Sequence, residues 1–309
     1  MKNIPSQVWQ LMIAYSLMMA GTSLMVLIAG IIGTQFAPSP GLATLPVALT
    51  IVGLALSTLP TGRLLDRFGR RRVFVAYGFL AVTAALLAAY SLIISCFVFF
   101  CLAAMMIGWS AAAGHQYRFA AMESVPVELA TRATSILLFG GILAAVVGPE
   151  IAVRGQHLLE AKFAGSYLLL AVSYLVGIII VSFYRESGNR VTEHEVRGRP
   201  MAEILRSPLI ILAVSSSVLG YGIMSFVMTA GPVSMHEHAG HSMQATKWVL
   251  QAQIIARYLP SVGYRGVFGV RGLGGVRGAG GVSCLAWLAV AVGGAGGGCC
   301  GEGAGGGGG

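Results

Sequence analysis

Residues 3–62 carry no charged side chain, and neither do residues 73–114. Between these two deserts the stretch Thr61-Gly62-Arg63-Leu64-Leu65-Asp66-Arg67-Phe68-Gly69-Arg70-Arg71-Arg72 holds five arginines and the only aspartate of the chain. A water-soluble fold needs charge to solvate its surface, and runs this long deny it that charge. Over the 309 residues, 10% are charged and 56% hydrophobic, against roughly 25% charged in soluble domains. Lipid is the solvent that this composition fits.

In lipid each segment must satisfy its own backbone polar groups, so apolar runs of about 20 residues become membrane-crossing helices. Such runs lie near 8–33, 41–61, 73–92, 94–119, 133–150, 164–183 and 208–231. An eighth, near 243–262, is weakened by Lys247 and Arg257. Pro38 to Gly41 part the first two spans, and Ser91 to Ser95 part the third and fourth. The expected fold class is all-α and polytopic. The first run is too long for the apolar core of a cleaved leader.

The charges then sort by side. Lys2, the five clustered arginines, Arg118, Arg132, Arg185, Arg190, Arg197, Arg199 and Arg206 fall on one side of the membrane. Only Arg154, Lys162 and Lys247 fall on the other, and the remaining four lie beyond residue 256. Basic loops stay in the cytoplasm. The N-terminus is therefore expected inside, with the chain crossing the inner (plasma) membrane many times. The net charge of +9 follows from topology and needs no nucleic acid to explain it. The five cysteines have no metal-binding or redox spacing.

Gly62-x-x-x-Asp66-Arg67-x-Gly69-Arg70-Arg71 resembles the signature of the major facilitator superfamily, at its usual place between helices 2 and 3. Glu123-Ser-Val-Pro126, followed by Arg132-Ala133, resembles that family's loop between helices 4 and 5. Gly148-Pro149 resembles part of its antiporter motif, and the polar segment 184–206 resembles the linker between its two halves. The resemblance implies a six-helix bundle over 1–183, a cytoplasmic linker over 184–206, and two helices of an incomplete second half over 207–262. It implies movement of a small-molecule substrate by alternating access, driven by protons, in a monomer without cofactor or enzymatic chemistry. It also implies that Gly62, Asp66, Arg67, Gly69, Arg70 and Arg71 form a conformational latch in a short cytoplasmic loop. Gly62 and Gly69 would permit the turn, and Asp66 would pair with Arg118 or Arg132 as candidate partners or sit against a helix N-terminus. In the family this latch works against the eleventh helix. One departure is Ala104, four residues before Gly108, where the family often carries arginine.

Polar stripes mark a path for substrate. Tyr15, Ser16, Thr22 and Ser23 fall seven apart in pairs on the first span, and Ser217, Tyr221 and Ser225 fall four apart on the seventh. Hydrogen bonding between helices is the competing reading for any one of them. As paired stripes they are cavity candidates, since these two helices line the central cavity of the family. His115, three residues from Arg118 on the fourth span, is a candidate for coupling. His236, His238 and His241 flank Glu237 at a spacing that can bind a transition metal, but a solvated loop is the favoured reading, and no metal is expected.

Residues 261–309 hold 21 of the 43 glycines. Glycine at this density does not hold a helix, and the apolar run Cys284 to Val292 is too short to cross a bilayer. The arginine–glycine pairs from Arg265 to Gly278 are spaced too loosely for an RNA-binding segment. High-GC codons for Ala, Leu and Gly, read one base out, give the Gly, Val, Arg, Trp and Cys found here. The tail 263–309 is thus expected to be disordered, the product of a frameshift near residue 262. It would leave a truncated and inactive chain, and the rival function is a non-transporting membrane scaffold.

Reporter fusions test the topology. A phosphatase fused at Gly69 should be inactive and one fused at Pro38 active; the reverse pattern would contradict the expected orientation.

Overall fold

The computed structural model describes residues 5–184, 208–235, 240 and 242–267. The regular elements among them are helices: α1 (Ser6–Phe36), α2 (Leu45–Phe68), α3 (Arg70–Ile93), α4 (Phe97–Glu123), α5 (Val127–Gly155), α6 (Ala164–Ser182), α7 (Pro208–Val233) and α8 (Met243–Val267), with a 3-10 turn at Pro40–Leu42. The first seven are long and apolar enough to cross a membrane. Most of the linker 184–206, the histidines His236, His238 and His241, and the tail beyond Val267 lie outside the described residues.

Most breaks fall where the sequence puts them. Ser95 turns the chain between α3 and α4 at φ 53°. Helix α5 starts earlier than the apolar run, at Val127, because Pro126 at its head gives up only an N–H that the helix would leave unpaired. Helix α8 continues to Val267, past the expected end at residue 262.

The signature stretch departs from its expected form. It is almost entirely helical, where a short loop is expected over residues 62–72. Helix α2 runs through Pro60 to Phe68, and α3 begins at Arg70. Gly69 alone makes the turn, at φ 81°, a conformation that costs glycine little and other residues much. Gly62 lies within α2 with open space where a Cβ would be. The hairpin thus uses one glycine, not two.

Helix α1 carries no charged residue, is mostly buried and sits at the centre, packed against α5, α6, α4 and α2. Lipid is as apolar as leucine, so helices in a bilayer associate through close packing rather than through escape from water. Small residues allow that closeness. At the α2–α4 crossing, a Cβ on Gly108 would overlap the Thr50 carbonyl, and one on Gly53 the Met105 carbonyl. At the α1–α5 crossing, Gly148 lies against the Ala20 carbonyl and the Leu24 amide. Some buried hydroxyls find partners across helices: Thr61 and Tyr77 at 2.8 Å, and Tyr167 donating to the Met25 sulfur at 3.1 Å. Helix α7 then packs on α1, and α8 on α5.

Two glycine substitutions separate close approach from turn-making. Gly108→Leu should cost about 2 kcal/mol or more by forcing α2 from α4. Gly62→Ala should instead raise stability by about 0.5 kcal/mol, since its site is helical and open. Thermal melts in detergent read both.

Candidate functional site

Two adjoining spaces lie against α7, the smaller of them also beside α1. A cavity of about 90 Å³ is enclosed by α1, α2, α4 and α7; its lining includes Thr22, Thr50, Gly108, Tyr221, Ser225 and Thr229. It shares Val47, Ile51, Tyr221, Ser225 and Thr229 with a groove of about 1100 Å³ between α2 and α7, which Thr44 and Ser217 also line. The two polar stripes therefore meet in part: Thr22 from α1 faces the same space as Tyr221 and Ser225 from α7. Among the described residues, no Asp, Glu, His, Lys or Arg lines either space; hydroxyls, aliphatic groups and aromatic rings do.

The hydroxyls differ in what they can offer. Thr22 donates to the Met19 carbonyl at 2.7 Å, Thr50 to Pro46 at 3.0 Å and Thr229 to Ser225 at 2.8 Å. Each keeps its lone pairs for a ligand donor. Neither the Ser225 hydroxyl nor that of the exposed Tyr221 is used within the described residues.

Other residues of the stripes are placed elsewhere. Tyr15 is buried, its ring 6.3 Å from that of Tyr117 and next to Gly140, at the α4 and α5 side of α1. Ser16 is buried too, and Ser23 lies against Gly148. None of the three lines the cavity, because the same helix face meets different neighbours at different heights. His115 is exposed and lies outside both linings.

At the arginine end, Arg70 and Glu123 pair through two hydrogen bonds. Arg70 Nε donates to Glu123 Oε2 at 2.8 Å, and Arg70 Nη2 to Glu123 Oε1. This two-pronged bond ties the first turn of α3 to the last turn of α4, which guanidinium geometry suits. Asp66 is exposed and, among the described residues, forms no ion pair with Arg118 or Arg132, both also without one. Arg67 rests 5.4 Å over the Phe68 ring. Nothing in the sequence marks Glu123 as the partner of Arg70; Glu150, which follows Gly148-Pro149, pairs with Lys247 at the opposite end of the bundle. A lone carboxylate within an apolar span was the available signal for Glu150.

The description Major Facilitator Superfamily belongs to the family model that matches residues 11–302. The riboflavin transporter RfnT of Brucella anthropi is 35% identical over 254 residues, 81% of this chain and 64% of that protein. The uncharacterized MFS-type transporter YdeG of Bacillus subtilis is 29% identical over 261 residues, 79% of this chain and 60% of its own length. This chain thus spans less than two thirds of these relatives. A crystal structure of a D-xylose-proton symporter matches the fold with a TM-score of 0.60 at 12% identity, over 84% of this chain and 68% of that one.

The two acidic groups at the arginine end should behave differently on neutralisation. Glu123→Gln should lower stability by about 1 kcal/mol, the bond being partly exposed. Asp66→Asn should leave the melting temperature unchanged. Equal losses would show that Asp66 has a structural partner.

Proposed function

Because the chain belongs to the Major Facilitator Superfamily, we propose that it binds a neutral, planar, hydroxyl-bearing small molecule of the flavin class for carriage across the membrane by alternating access. The observation that carries the reading is the convergence of Thr22 on α1 with Tyr221 and Ser225 on α7 around one space without charge. Ligand sites run to about 300–1,000 Å³, mostly apolar with a few placed polar groups, and the groove of about 1100 Å³ is of that order. The resemblance to a riboflavin transporter supports the flavin class. Riboflavin is uncharged at neutral pH, with a flat ring system for the Tyr221 ring to stack on and a polyhydroxyl chain for Ser225, Thr229 and Thr50.

The cycle is driven by protons entering from the outer face, with the N-terminus in the cytoplasm. Asp66, exposed beside the Gly69 turn, holds a second-half helix at the cytoplasmic end in one state and releases it in the other. The described helices supply six of one rocking body and two of the other, so flux needs further helices of the second body.

One observation favours a second reading, a membrane protein that binds without carrying. Leu212, Leu219 and Phe226 on α7 are each more than 60% exposed, so that helix is covered on few sides.

The test is flavin fluorescence with the full chain in lipid nanodiscs. Riboflavin should be quenched saturably, and Tyr221→Ala should weaken binding roughly tenfold, the loss of one stacked ring. Absence of saturable binding overturns the flavin reading. Proton-driven flavin flux in liposomes then selects carriage, and binding without flux selects the second reading.

A further inference from the structure

Glu150 lies near the end of α5 opposite the Arg70–Glu123 pair, and Lys247 lies in the first turns of α8. Lys247 Nζ donates to Glu150 Oε2 at 2.8 Å. Lys247 is only 3% exposed, and lysine is seldom buried so fully without a partner. One turn deeper, Gln251 Nε2 donates to the Val146 carbonyl at 3.2 Å. Both helices advance by four residues, in opposite directions. The result is a two-rung polar ladder joining the first six helices to the second set.

A buried ion pair that only holds a fold strands a charge when it breaks, and that makes it costly to open. This one is built otherwise. Glu150 has a second cation on its own helix: Arg154 Nε donates to Glu150 Oε1 at 2.7 Å, and the Arg154 side chain is 74% exposed. Lys247 has a second partner on its own helix: its Nζ lies 5.1 Å from the centre of the Trp248 ring, which is 62% exposed. Such a ring attracts a cation. If α5 and α8 part, neither charge is left alone. Pro149, one residue before Glu150, has no N–H to give the Ala145 carbonyl, so α5 is loosened just there.

We propose that Glu150 and Lys247 form a breakable latch, which closes the two helix sets at the end opposite the arginine cluster, with Arg154 and Trp248 as the resting partners of the open state. It rests on the alternating-access reading. When the pair is made, α5 and α8 are held together at that end. When it breaks, each ion turns to its own helix and the way opens. Arg154 and Trp248 are positioning residues here, lowering the barrier to opening.

The test measures distance between nitroxide labels at His157→Cys and Gln244→Cys, by double electron–electron resonance, on the full chain in nanodiscs with the native cysteines replaced by serine. Both positions are exposed and outside the latch. The unaltered latch should give a short-distance population. Glu150→Gln with Lys247→Met removes both charges at similar volume and should add a longer-distance population, lowering the closed-to-open ratio about tenfold or more. Glu150→Gln alone leaves the buried Lys247 ammonium facing a neutral amide, which penalises the closed state, and should shift the ratio the same way by at least as much. Reversing the charges together, Glu150→Lys with Arg154→Glu and Lys247→Glu, should restore the short population. An unchanged distribution in both neutral variants, each shown folded by its melting curve, overturns the latch. The readout needs no flavin, so a failure of flavin binding leaves it standing.

Discussion

Without water in the bilayer core, helices have no hydrophobic reason to prefer one another over lipid. What this bundle depends on is backbone brought into contact at glycine. Gly53 and Gly108 set α2 against α4, and Gly148 sets α1 against α5. These crossings fix where α1 stands, and α1 carries Thr22 to the wall of the cavity. Gly108 itself belongs to that wall, so the contact that holds the helices together also shapes the space between them. The α2–α4 contact leaves the outer side of α2 for the groove shared with α7.

Polarity is divided to match. Among the described residues, hydroxyls and rings line the space in the middle of the bundle and no charged group does. Ion pairs stand towards its two ends: Arg70 with Glu123 at one, Glu150 with Lys247 and Arg154 at the other. They differ in what they join. Arg70 and Glu123 tie α3 to α4 within the first six helices, whereas Glu150 and Lys247 tie α5 to α8, across the division between the two sets. On the proposed alternating-access reading, a body must be rigid within itself and reversible against its partner body, and the placement of these pairs corresponds to that need.

The spans were legible in the sequence because the thickness of a bilayer sets the length of an apolar run, and α1 to α4, α6 and α7 lie close to the expected positions. The signature was legible as a pattern but not as a shape. Its glycines suggest a loop, yet Gly62 is helical, and a hairpin of two long helices meeting at Gly69 satisfies more backbone groups than a loop would. Ion pairs 53 and 97 residues apart were not legible, since only packing brings Arg70 to Glu123 and Lys247 to Glu150. Periodicity placed Tyr15 with Thr22 on one face, but could not show that α4 and α5 cover that face at one level and α2 and α7 at another.

The central claim is that α1 and α7 face each other across one space within the membrane. Its most direct measurement is a cross-link between Thr22→Cys and Ser225→Cys in native membranes, made with a short bifunctional maleimide on a chain otherwise free of cysteine. The account requires efficient intramolecular linkage, and none between Thr22→Cys and a cysteine at Leu86 on the outer face of α3. Linkage absent from the first pair, or equal in the two, would contradict it.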